Sequence, residues 1–173
     1  MGQGLHTKVC QLVADALGVP LSRVRITASD TGKVPNASPT AASAGTDLNG
    51  RAAQLAALAV RERLAEFIAR QDGCAPTDVR FDGGCVNTPV AERSFDEVVA
   101  AAYKARVQLW SDGFYATPKI HYDPKTLTGR PFFYFAYGAA CVEVAVDTLT
   151  GESRVTAVDI LHDVGRSINP AID

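Results

Sequence analysis

Ala140-Cys141-Val142-Glu143-Val144-Ala145-Val146-Asp147-Thr148-Leu149-Thr150-Gly151 is the stretch on which the fold class turns. Val142, Val144 and Val146 alternate with other residues, the period-two pattern of a strand with one apolar face. Thr148-Leu149-Thr150-Gly151 then supplies a turn, and residues 153–161 read as the returning strand of a hairpin. Further strand signals precede it at residues 107–110, 120–122 and 132–137. Upstream the period changes. Leu5, Val9, Leu12, Val13, Ala16 and Leu17 recur at helical spacing, and Gly18 with Pro20 ends the run. Val24 and Ile26 alternate with arginines and predict a short strand. Ser38-Pro39 is a helix-opening pair, followed by Ala41, Leu48, Ala52, Leu55 and Ala59, and then by a second face of Val60, Leu64, Phe67 and Ile68. That pattern predicts a helix of about thirty residues, roughly 45 Å long, ending at Gln71-Asp72-Gly73. Gly45 and Gly50 in its first half each cost about 1 kcal/mol relative to alanine, so packing or a ligand keeps those positions small. Residues 78–81 predict a strand before Asp82-Gly83-Gly84, and residues 94–106 a third helix with Ser94 as cap and Glu97 in capping-box position. Helices first and antiparallel strands later predict an α+β fold, N-terminal helices packed on mostly antiparallel strands.

The 173 residues suffice for one substantial core, as one domain or two closely packed lobes. A net charge of −2 with interspersed signs offers no basic face for a phosphate backbone, which excludes nucleic acid as the expected partner. No apolar run approaches the roughly 20 residues that span a bilayer, and no signal-peptide layout opens the chain, so no membrane role and a cytoplasmic location are expected. Cys10, Cys74, Cys85 and Cys141 include no C-x-x-C pair and predict reduced thiols with no protein-ligated metal; a Cys74–Cys85 approach is the one alternative. Both ends of the chain are expected to be cut from a larger sequence, and the surfaces so exposed to favour self-association.

Two helix starts carry unusually small residues: Gly2-Gln3-Gly4 before the first helix, and Ala41-Ala42-Ser43 in the expected first turn of the second. A helix start presents unpaired N–H groups and about half a positive charge, and Gly or Ala lets an anionic ligand reach that backbone. Gln3 adds an amide that both donates and accepts. The alternative is that the glycines serve the turn and the alanines pack against a neighbour.

Several separated motifs bear on that choice. The stretch from Met1-Gly2-Gln3-Gly4-Leu5-His6-Thr7-Lys8, then Val34-Pro35-Asn36-Ala37-Ser38-Pro39-Thr40-Ala41-Ala42-Ser43, Asp47-Leu48-Asn49-Gly50, Gly113-Phe114-Tyr115-Ala116-Thr117-Pro118, and Asp163-Val164-Gly165 with Ser167-Ile168-Asn169-Pro170-Ala171-Ile172-Asp173 resemble, in order, the molybdenum-binding region of the xanthine dehydrogenase and aldehyde oxidase family. Residues 72–93 carry no such likeness. The resemblance implies part of a molybdopterin-binding domain spanning residues 1–173, truncated at both ends, in an enzyme that hydroxylates carbon beside a ring nitrogen with water as oxygen source. It implies a molybdenum–pyranopterin cofactor whose dithiolene, rather than the protein, holds the metal. By the same resemblance Gly2, Gln3, Gly4, Ala41, Ala42, Ser43 and Gly45 are cofactor-binding, and Ala41 and Ala42 border the substrate pocket. By the same resemblance Gly45 stands where some relatives carry a hydroxyl residue, so the pterin hydrogen bond of those relatives is not expected from this position. No catalytic residue is expected within the chain. The general-base glutamate is expected downstream, the purine-sandwiching aromatics and an orienting arginine upstream, and the iron–sulfur clusters and FAD in other regions or subunits. The expected substrate is a purine or N-heterocycle, as hypoxanthine and xanthine oxidised to urate; an aldehyde oxidase, another N-heterocycle hydroxylase, or a non-catalytic interaction module are the competing readings.

His6, His121 and His162 lack ligand spacing and are expected to make structural hydrogen bonds. Glu143, Asp159 and Asp163 are expected on solvated strand faces, and the run Phe132, Phe133, Tyr134, Phe135, Tyr137 in a sheet covered on both sides. Ala42→Leu in the parent enzyme should abolish turnover with the fold intact, because a branched side chain intrudes beside the metal; steady-state assay with circular dichroism checks this, and normal activity would remove Ala42 from the site.

Overall fold

A computed structural model of the chain describes residues 4–28, 30, 32–33, 39–41 and 43–171. They divide into two compact units, residues 1–116 and 117–173. The first holds α1 (Leu5–Leu17), α2 (Arg51–Asp72), α3 (Phe95–Lys104) and a small antiparallel sheet of β1 (Arg80–Asp82), β2 (Cys85–Asn87) and β3 (Glu92–Ser94) in the order β1-β2-β3. The second holds two antiparallel hairpins, β4 (His121–Asp123) with β5 (Thr128–Arg130), and β6 (Tyr137–Val146) with β7 (Ser153–Asp163). The class is α+β, with every described strand pair antiparallel.

α1 covers its expected span and stops at Gly18, a left-handed cap whose N–H donates to the carbonyls of Ala14 and Asp15. α2 ends likewise at Gly73. α3 opens with the expected capping box: Ser94 Oγ accepts from the Glu97 N–H, and the Glu97 carboxylate accepts from the Ser94 N–H. The late apolar face of α2 fulfils its pattern, since Leu64, Phe67 and Ile68 are buried with Val79, Phe81, Val86, Val98 and Ala102. That cluster packs α2, α3 and the three-stranded sheet together and forms the core of the first unit.

Four expected elements differ. Residues 24–28 form no strand; a 3-10 turn, Leu21–Arg23, precedes them, and Val24 and Ile26 line an open cleft of about 240 Å³ with His6, Thr7 and Cys10. Residues 107–110 also form no strand, because their carbonyls serve a side chain: Arg63 Nη1 donates to Trp110 O at 2.8 Å and Gln108 O at 3.3 Å. Phe132, Phe133, Tyr134 and Phe135 precede β6 rather than forming a covered strand, and all four are exposed or nearly so. There Arg130 donates to the carbonyls of Phe132 and Phe133, taking acceptors that a ladder would need. The fourth is the start of the long helix. Pro39, Thr40 and Ala41 are not helical; the helical run opens at Gly45, passes through a π turn over Thr46–Gly50, and continues as α2. Asn49 Nδ2 donates to Thr40 Oγ1 at 3.3 Å, a contact that a helix begun at Pro39 would stretch to about 13 Å along its axis.

The β6–β7 hairpin has the expected turn, closed by Asp147 Oδ1 accepting from the Leu149 and Thr150 N–H groups. A bulge between Glu143 and Val144 leaves Thr156 as the extra residue, and its hydroxyl donates to the Glu143 carboxylate at 2.7 Å. The cysteines are free thiols, so Cys74 and Cys85 are not joined.

Two features fix the first unit. Asp72, whose side chain is only 5% exposed, accepts both guanidinium nitrogens of Arg93 at 2.7 Å and the Thr88 hydroxyl at 2.6 Å, tying the end of α2 to β3 and the preceding loop. The Arg93 hydrogen bonds, with that of Thr88, lower the Asp72 carboxyl to about 2. The other is the α1–α2 seam. A Cβ on Gly45 would stand 2.7 Å from Leu5 Cδ2, and one on Gly50 2.7 Å from Leu12 Cδ1, while Arg61 Nη1 donates to Ala16 O at 3.0 Å. Contacts advance together along both helices, from Leu5 with Gly45 through Leu12 with Gly50 to Ala16 with Arg61. The two helices therefore run parallel.

Gly50→Val should overpack this seam and cost about 1–3 kcal/mol in urea unfolding; an unchanged midpoint would contradict the close approach of Leu12. Because the folded pKa of Asp72 lies below its ordinary 3.8, its ion pair stabilises above that value and is lost as pH falls through about 2. Asp72→Asn should lower the thermal midpoint at pH 7 and flatten its fall across that acid window; an unaltered acid slope would show that the pair adds nothing.

Candidate cofactor site

Parallel packing puts both helix starts at one end of the first unit, where Leu5 meets Gly45. Gly4 is the N-cap of α1, left-handed at φ 69° and ψ 17°, a conformation that disfavours any side chain there. The N-cap residue, Gly4, has no side chain with which to cap the first-turn N–H groups of α1, which lack intrahelical acceptors. His6 and Thr7 in that turn are exposed. Two adjacent parallel dipoles each place about half a positive charge at this end, an arrangement that an anion there would relieve.

The expected site residues distribute as follows. Gly2, Gln3 and Ala42 lie outside the described residues. Gly4 caps α1. Ala41 and Ser43 are exposed, but they stand in the approach to the helix and not in its first turn, the correction that follows from the Thr40–Asn49 bond. Gly45 is buried at the head of the helical run, hemmed by Leu5 and by Thr40 Cγ2, 3.1 Å from where its Cβ would lie. Its smallness thus has a packing cause. Thr40, Asn49 and Leu5 all lie in quoted motifs, but the sequence assigned none of them to the site. Asn49 lies in a quoted motif, but the bond it makes reaches back nine residues and has no local signature.

These residues suit a polar, anionic cofactor held by backbone groups: a helix start whose N-cap is a left-handed glycine, and an approach segment in which Ala41 and Ser43 are exposed and Thr40 bonds Asn49. Among the described residues no group of three His, Cys, Asp or Glu side chains is placed to hold a metal ion. Also among them, no helix is long and apolar enough to cross a membrane. His121, His162, Glu143, Asp159 and Asp163 lie on β4, β6 and β7 in the second unit and are exposed.

Comparison with known proteins gives this geometry a family. The chain is 45% identical over 177 residues to a xanthine dehydrogenase of Oryza sativa subsp. japonica and 43% identical over 173 residues to a xanthine dehydrogenase/oxidase of Felis catus, in both cases along all of its length. It spans 11% of the first relative and 12% of the second. Its fold is similar to that of quinoline 2-oxidoreductase from Pseudomonas putida 86, with a TM-score of 0.73 and 31% identity, covering 99% of this chain and 21% of that one. The pattern of the molybdopterin cofactor-binding domain matches residues 1–173, and the chain belongs to that family.

Proposed function

We propose that this chain forms one wall of the molybdenum–pyranopterin site of a molybdenum hydroxylase of xanthine dehydrogenase type, oxidising hypoxanthine and xanthine to urate. The observation that carries this reading is the meeting of two parallel helix starts at Leu5 and Gly45, in a chain of the molybdopterin cofactor-binding domain family. Residues 1–173 are then part of one such domain. Gly2, Gln3 and Gly4 contact the cofactor from the α1 side, and Ala41, Ala42 and Ser43 from the facing loop; Ala41 and Ala42 also leave room for substrate. Gly45 belongs to the same segment and lets Leu5 draw the two starts together.

When bound, the cofactor supplies the metal centre at which a carbon beside a ring nitrogen is hydroxylated with oxygen from water. The chain's own work is binding and orientation. First-turn N–H groups of α1 donate to cofactor acceptors, Gln3 adds a side-chain amide, and the Thr40–Asn49 bond holds the facing loop in place. No general base comes from this chain. The base glutamate, the aromatic residues that hold a purine, the iron–sulfur clusters and the FAD belong to other regions or subunits of a cytoplasmic, oligomeric parent.

A second reading keeps the site and changes the substrate to another N-heterocycle; the 31% identity to a quinoline 2-oxidoreductase favours it over an aldehyde. The parent protein, purified from molybdate-supplied cells, should hold molybdenum and pterin and reduce a dye with xanthine, while residues 1–173 alone should not. Dye reduction by the isolated chain would refute the division of labour. A parent without molybdenum would leave the interaction-module reading standing, and turnover of quinoline without xanthine would select the second substrate.

A further inference from the structure

α1 has no basic residue in its last turn, yet its terminal carbonyls are supplied. Ala14 O accepts from the Gly18 and Val19 N–H groups, and Asp15 O from Gly18. Ala16 O is met from elsewhere: Arg61 Nη1 reaches it at 3.0 Å from α2, 45 residues along the chain. A guanidinium at this end suits the negative pole of the α1 dipole and offsets part of the penalty of laying two helices parallel. The same group lies 5.1 Å from the centroid of the Phe81 ring, and Phe81 is buried in the core with Phe95 at its edge. Arg61 is thus held by the core while it holds α1.

The contacts at the other end differ in kind. Leu5 on Gly45 and Leu12 on Gly50 are apolar contacts, which set how closely the helices approach but define position along the axis only loosely. A hydrogen bond to Ala16 O does define it, since a slip of one residue rise, about 1.5 Å, breaks it. α1 between Ala16 and Leu5 is one unbroken helix about 16 Å long, stiff enough to carry that position to its start.

We propose that Arg61 is a positioning residue for the cofactor site: by fixing the axial register of α1 against α2 it sets where Gly4 and the first-turn N–H groups stand relative to Gly45. The inference rests on the function proposed above. Arg61 itself touches Ala16 and Phe81, so its effect reaches the cofactor through α1.

The test uses the parent holoenzyme with Arg61→Met, which keeps the stem, Arg61→Lys, which keeps a donor and the charge, and Ile68→Val, a core change away from the seam at a fully buried position. Molybdenum release rate is read beside the urea midpoint. Arg61→Met should release molybdenum about tenfold faster, the weight of one charge-assisted hydrogen bond, with Arg61→Lys in between and Ile68→Val at the wild-type rate. Release at the wild-type rate in Arg61→Met overturns the inference. So does equal acceleration in Ile68→Val, which would show that release follows stability alone. If Arg61→Met does not accumulate as folded protein, Arg61→Lys against Ile68→Val decides by the same criteria. A wild-type parent that holds no molybdenum fails at the earlier step and overturns the proposed function itself.

Discussion

The first unit depends on two helices packed parallel, α1 against the run that opens at Gly45, with their N-termini at the same end. Parallel neighbours set like dipole ends side by side, so this arrangement needs compensation. Close approach through Gly45 and Gly50 supplies apolar contact, Arg61 supplies positive charge at the far end of α1, and at the near end the N-cap Gly4 brings no side chain to the positive pole. What is costly for an isolated unit is useful for one that receives an anionic group there. Sequence, packing and proposed binding converge on one geometric fact.

Where information is local, the sequence reads cleanly. The Ser94–Glu97 capping box, the αL stops at Gly18 and Gly73, and the β6–β7 hairpin each depend on residues a few positions apart, and each is found where the pattern puts it. The start of the long helix is different. Ser38-Pro39 is an adequate local signal, but the Thr40–Asn49 bond and the seating of Gly45 on Leu5 are not local, and they delay the helix to Gly45. Residues 107–110 fail as a strand for a related reason, since Arg63 on α2 takes their carbonyls. An aromatic run can also mislead: residues 132–135 have strand composition without a ladder partner among the described residues, and they are exposed.

The candidate site was legible in a similar proportion. Gly4 caps α1 where the pattern puts it, whereas Ala41 and Ser43 precede the second helical run instead of opening it. The cause of the smallness at Gly45 was not legible, because it lies in Leu5, forty residues earlier. Arg61 was invisible for the same reason: an arginine within a helix carries no sequence mark of the carbonyl it will meet. Residues 72–93, which bear no family likeness, contribute instead to the scaffold through Asp72, Thr88 and Arg93.

The central claim is that the two helix starts together form a cofactor wall. A structure of the parent protein with its pyranopterin bound tests it most directly, read as distances from cofactor oxygen and nitrogen atoms to the N–H groups of residues 3–7 and 41–45. The account predicts hydrogen bonds of about 3 Å to both segments. A cofactor seated with neither segment in hydrogen-bond reach would contradict it.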